Sequence, residues 1–281
     1  MTLSTCIRLL PLLFLIACSS EREDKKNLLF ATLAPYKFLV EQIGGDLVEV
    51  QLLIPPGVSP HTYEPTLQQV RSLQGGLIWF QMGEPFEKRI LPAMQERNPG
   101  LLVVDLCEEE TLPSCPHCCH AHLQDRHVWL SPTLLISMAR KTEELLSQRF
   151  PEEKAYFAER ADRFCAECAL VQNEIQERLT SLKGGLLLVS HPAFGYFCKD
   201  FQLEQLSVEH AGGEPRPRHL QKILEKAKEH PVSLALALPQ YNNKGVTLLA
   251  EELKVPLSQI DPYAANCLDT IRLLAKEIVH E

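Results

Sequence analysis

A chain of 281 residues with 28 basic and 36 acidic side chains carries a net charge of −8, and 45% of it is hydrophobic. That length suits two domains of roughly 100 to 150 residues, each with an ordinary core. The acidic balance argues against nucleic acid or an anionic lipid surface as a partner.

Residues 1–17 read as an export signal: Arg8 in a short leading region, then an apolar run from Leu9 to Ala17. The run is too short to cross a bilayer. Leu15-Ile16-Ala17-Cys18 resembles the bacterial lipobox, which implies lipid attachment at Cys18 and a polar tether over residues 18–27. A plain cleaved signal peptide is the alternative. Cleavage removes Arg8 and leaves a net charge of −9. The expected location is outside the cytoplasm, in the periplasm or at the cell surface, anchored to a membrane by lipid. Ten cysteines in an exported chain leave disulfides open, and their pairing cannot be deduced from spacing.

From residue 28 the pattern alternates. Leu28–Thr32 and Val48–Ile54 are β-type apolar runs, separated by a helical pattern over Tyr36–Ile43 that ends at Gly44-Gly45, a helix stop. A helix near Leu67–Leu73, a strand at Leu77–Phe80, a helix over Phe86–Gln95 and a strand at Leu101–Asp105 follow. Such alternation predicts a mostly parallel sheet flanked by helices, here over residues 28–150. Apolar residues then recur at three-four spacing from Phe157 to Leu182, after Pro151 and before Gly184-Gly185. The spacing predicts one helix over residues 151–183, about 48 Å long, acting as a rigid connector or as a coiled-coil dimer helix. Alternation resumes over residues 184–281: strands at Leu186–Val189, Leu203–Val208, Val232–Leu238 and Pro256–Ile260, with helices at Phe194–Phe201, Arg218–Glu229, Lys244–Leu253 and Cys267–Val279. The expected fold is α/β, two lobes joined by one long helix, with the ligand outside the carboxyl ends of the strands.

Four candidate metal ligands stand at or just beyond predicted strand ends. His61 lies in the proline-rich turn Pro55 to Pro65, where restricted backbone lowers the entropy lost on binding; an ordinary turn histidine is the alternative. His127 precedes Val128-Trp129-Leu130, with Ser131 placed to cap a helix opening at Pro132; packing against Trp129 is its alternative. His191 follows the apolar strand ending at Ser190. Asp261 ends the last strand before Pro262, where a turn or capping aspartate is the plain reading. Together they read as a tetrahedral His₃Asp site closed by side chains, which suits binding better than catalysis.

These segments resemble the zinc and manganese substrate-binding proteins of bacterial ABC transporters, the metal-binding group of periplasmic solute-binding proteins. The family's Pro-His-x-Tyr/Phe-Glu-Pro turn is matched by Pro60 to Pro65, and its Asp-Pro-His-Val-Trp-Leu by Asp125 to Leu130. His191 and Asp261 match the histidine or glutamate that begins the second lobe and the Asp-Pro aspartate. Arg126 replaces the usual proline, and Glu214-Pro215-Arg216 only loosely follows the family's Glu-Pro-Ser. The resemblance implies a receptor, monomeric and without enzymatic activity, that captures a divalent metal between two lobes and hands it to a membrane permease driven by a cytoplasmic ATPase.

Three imidazoles and one carboxylate favour zinc over manganese, which prefers oxygen, with iron a further alternative. Because imidazole must be deprotonated to bind, mild acid is expected to release the metal. The segment containing Cys115, His117, Cys118, Cys119, His120 and His122 falls where zinc-binding family members carry a histidine-rich loop, which implies accessory metal capture; a disulfide loop or a structural zinc site are alternatives. Cys165 and Cys168 have a metal-like spacing, but Cys168 lies on the apolar stripe of the long helix and reads as core. The competing class is an exported zinc hydrolase with Glu64 or Glu209 as general base, a reading that lacks an HExxH helix.

Overall fold

The computed structural model describes residues 26–106, 125–209 and 217–280. Two four-stranded sheets, all parallel, form the two lobes. The first contains β1 (Asn27–Ala31), β2 (Val48–Leu52), β3 (Ile78–Gln81) and β4 (Leu102–Asp105) in the order β2-β1-β3-β4. The second contains β5 (Leu186–Val189), β6 (Glu204–Ser207), β7 (Val232–Ala237) and β8 (Leu257–Gln259) in the order β6-β5-β7-β8. The same topology thus occurs twice. In each sheet the order reverses beside the first strand, and crevices for ligands form at such points.

Nine helices among the described residues cover the sheets: α1 (Ala34–Gly44), α2 (Leu67–Ser72), α3 (Pro85–Arg97), α4 (Pro132–Arg149), α5 (Lys154–Leu179), α6 (Gly195–Phe201), α7 (Pro217–Glu229), α8 (Lys244–Leu253) and α9 (Cys267–Val279). The sequence pattern marks only the start of α4, at Ser131-Pro132. There the Ser131 side chain accepts from Leu134 N as the cap. No described helix is long and apolar enough to cross a membrane.

The long connector is helical throughout but not uniformly α. Pro151–Glu153 and Thr180–Leu182 are 3₁₀ turns, leaving 26 α-helical residues in α5, about 39 Å. The first turn reverses the chain after α4, and the last tightens the helix end before Gly184. The buried stripe of α5 runs through Phe157, Ala161, Phe164, Cys168, Val171, Ile175 and Leu179. It packs against α1, α4 and α9, so helices of the same chain cover the stripe that a coiled-coil dimer would need. One continuous apolar core passes from the first sheet through α5 to β5 and α9, and a smaller one lies under α7 and α8. Cys168 sits in the larger core, and burial pushes its thiol up to about 12.

Gly45 shows why α1 ends where it does. Its φ of 54° is costly for a residue with a side chain, and an added Cβ would meet the Tyr156 hydroxyl at 2.2 Å. Arg160 Nε of α5 donates to Gln42 O at 2.8 Å beside it. The helix stop read from Gly44-Gly45 is therefore also the seat of the connector on the first lobe.

Candidate metal centre

Every residue of the centre follows the carboxyl end of a strand. His61 lies in a 3₁₀ turn, Pro60–Thr62, after β2. Pro60 opens that turn, and Tyr63 Oη donates back to Leu53 O at 3.3 Å. His127 follows β4, and its ring packs against Trp129 at 5.3 Å between centroids. His191 follows β5, its ring stacked on Tyr241 at 4.0 Å and 8°.

The three histidines converge. Ring centroids are 6.0 Å apart for His61 and His127, 5.1 Å for His61 and His191, and 5.4 Å for His127 and His191. One nitrogen from each lies within 4.8 Å of the other two. A tetrahedral zinc with bonds near 2.05 Å needs nitrogens about 3.4 Å apart, so small side-chain adjustments close the gap.

Each imidazole faces its own carboxylate. His61 Nδ1 lies 2.8 Å from Glu84 Oε1, His127 Nδ1 2.8 Å from Asp125 Oδ1, and His191 Nδ1 2.5 Å from Glu209 Oε2. A carboxylate accepts, so each Nδ1 carries the proton and each Nε2 presents a lone pair. This carboxylate–histidine arrangement fixes tautomer and ring orientation in metal sites.

The supports differ. Asp125 Oδ1 also accepts from His127 N at 2.9 Å, and Tyr196 Oη donates to Asp125 O at 3.0 Å. Glu84 is the N-cap of α3, and Glu87 completes a capping box with it. Glu87 accepts from Met82 N at 3.2 Å, Gly83 N at 2.6 Å, Glu84 N at 2.7 Å and the Thr32 hydroxyl. Burial pushes the Glu87 carboxyl up to about 7, against those donors. Arg126 Nη1 donates to Met82 O at 2.8 Å and pairs with Asp105 Oδ2 at 2.9 Å. Its guanidinium crosses Gly83, where φ is +90° and a Cβ would meet it at 2.1 Å. The residue that replaces the usual proline thus ties the His127 segment to the loop holding Glu84.

Asp261 is not part of the three-histidine group. Its Oδ1 accepts from Gln240 Nε2 at 2.8 Å and from Tyr263 N at 2.9 Å, the bonding of a turn aspartate. Tyr263 Oη lies 3.1 Å from His127 Nε2 and 2.6 Å from Tyr241 Oη. Burial raises both phenols above their ordinary value, so both retain their protons. The lobes meet again where Trp129 Nε1 donates to Pro262 O at 2.7 Å.

Sequence reasoning missed Glu84, Asp125, Tyr241 and Tyr263. Asp125, two residues before His127, had a readable spacing; the others had none. Of the two carboxylates considered as a hydrolase base, Glu209 faces His191 within the centre and the exposed Glu64 pairs with Arg89. The lipobox cysteine Cys18 and the segment Cys115 to His122 lie outside the described residues.

Two parallel-sheet lobes on one long helix, with carboxylate-backed histidines between them, define the class of extracytoplasmic substrate-binding proteins for metal uptake by ABC transporters. Residues 29–279 match the family described as ZnuA, zinc-uptake complex component A, periplasmic, and the chain belongs to that family. Its members bind metal ions outside the cytoplasm and work with a permease and an ATPase. A Chlamydia trachomatis protein provisionally named as metal-binding is 28% identical over 264 residues, 92% of this chain and 94% of that one. The zinc-binding lipoprotein AdcA of Streptococcus pneumoniae is 26% identical, covering 89% of this chain and 53% of that protein. A zinc-bound crystal structure of a ZnuA deletion mutant superposes with a TM-score of 0.82 at 28% identity, covering 91% of this chain and 97% of that one.

Proposed function

We propose that this protein is a zinc receptor whose cargo is held by Nε2 of His61, His127 and His191, with Asp261 as fourth ligand. The reading is carried by three imidazoles from separate strand ends, each oriented by its own carboxylate, with one nitrogen of each within 4.8 Å of the others. Nitrogen donors favour zinc over manganese or iron, and the zinc-bound ZnuA neighbour supports the same choice.

In this reading the first lobe spans residues 28–150, the second 184–281, and residues 151–183 connect them. The protein acts as a monomer, hydrolyses nothing and passes zinc to the permease. Cys18 carries the lipid anchor, as the AdcA relative named a lipoprotein suggests. Cys115, His117, Cys118, Cys119, His120 and His122 form an accessory loop that collects metal at low affinity.

The test is metal content and competitive zinc affinity of the purified protein beside a His61→Ala, His191→Ala double variant. One tightly held zinc, lost in the variant, is the expected result. Unchanged stoichiometry would move the metal to the Cys115 to His122 loop and overturn the reading.

A further inference from the structure

The bonding around His127 has a direction. Asp125 Oδ1 lies 2.8 Å from His127 Nδ1 and can only accept, so the proton of the neutral ring is on Nδ1 and Nε2 offers a lone pair. The Tyr263 hydroxyl, 3.1 Å away, is therefore the donor to Nε2. With that proton committed, the Tyr263 oxygen accepts from Tyr241 Oη at 2.6 Å. The chain runs Tyr241 to Tyr263 to His127 to Asp125.

Both tyrosines are held in place by packing. The Tyr263 ring lies 5.8 Å from His127 and 5.9 Å from Trp129, and Tyr263 N donates to Asp261 Oδ1 at 2.9 Å. Tyr241 stacks on His191 at 4.0 Å. One hydrogen-bonded pair of phenols thus spans from one candidate ligand to another, and from the second lobe to the first.

A lone pair cannot both accept a hydrogen bond and coordinate a metal. We infer that the Tyr263 hydroxyl is an internal competitor for zinc at His127 Nε2, so that capture requires Tyr263 to release His127 and departure of the metal lets it return. The inference rests on the zinc-receptor reading and deepens it: Tyr263 is a positioning residue that limits affinity. It supplies a partner for a buried nitrogen that would be costly to leave without one.

The test is Tyr263→Phe, which keeps the ring and removes only the hydroxyl. Zinc affinity is measured by competition with a chelator, beside the unmutated protein and with a thermal melt of each. One hydrogen bond of ordinary net strength corresponds to roughly a two- to tenfold tightening. The sign is diagnostic, because loss of a merely structural contact leaves affinity unchanged or lowers it. Equal or weaker binding by a folded Tyr263→Phe, with tight zinc in the unmutated protein, overturns the competitor and leaves the receptor standing. No zinc binding by the unmutated protein overturns both. If Tyr263→Phe does not fold, ultraviolet resonance Raman of the unmutated protein decides, since the tyrosine doublet reports whether a phenol donates. A doublet that moves away from strong donation on zinc addition supports the exchange, and a doublet that stays fixed while zinc binds overturns it.

Discussion

His61 and His127 belong to the same lobe and differ in almost every support. His127 is 4% exposed, and its carboxylate Asp125 is two residues away in the chain and bonds its backbone as well as its ring. The His61 side chain is 36% exposed, rides on a proline-rich turn, and takes its carboxylate from the cap of another helix. A local, buried support holds a side chain through short covalent geometry, while a remote one depends on two loops staying in register. The comparison gives His127 a buried, local support and His61 an exposed, remote one.

The largest test of that contrast removes each ligand in turn. His127→Ala should weaken zinc binding by more than the roughly 100-fold that loss of a carboxylate behind a ligand can cost, since a tetrahedral site loses a donor outright. His61→Ala should cost less, because water can reach an exposed position and complete the coordination. Competitive titration checks the order; equal losses would mean that the difference in support does not reach the metal.

A smaller effect is expected one layer out. Carboxylates behind ligating histidines affect affinity by about 10- to 100-fold. Asp125→Ala should fall near the upper end and Glu84→Ala near the lower, because Asp125 also fixes the backbone at His127. Reversal of that order would place the tighter support at His61.

The smallest effect concerns Glu87, which sits under Glu84. Its carboxyl is raised from 4.5 to about 7 by burial, so the folded protein holds that proton more tightly than the unfolded chain does. Its contribution to stability is therefore fully present below about 4.5 and lost as pH rises through about 7. Glu87→Gln should flatten the dependence of the unfolding midpoint on pH between those values. A slope unchanged in the variant would show that the three backbone donors keep Glu87 ionised throughout.

Most of the architecture was legible. The apolar stripe from Phe157 to Leu179 marked the connector, and Gly44-Gly45 marked the end of α1, because helix periodicity and glycine caps act within a few residues. The extent of α4 was not read, although Leu135, Met138, Ala139, Thr142 and Leu146 lie buried along it. The 3₁₀ ends of the connector were invisible too, since they answer to the turn after α4 and the approach of the second lobe.

The sequence by itself determined two lobes of alternating strands and helices, the long helix between them, and three histidines at strand ends. Those signals are short-range, set by side-chain period, turn chemistry and ligand type. Only the tertiary structure decided which carboxylate backs each imidazole, that Asp261 bonds Gln240 in its own lobe, and that Tyr263 reaches a ring 136 positions away. Such pairings depend on how two sheets dock against one helix, and a contact distant in the chain leaves no periodic trace along it.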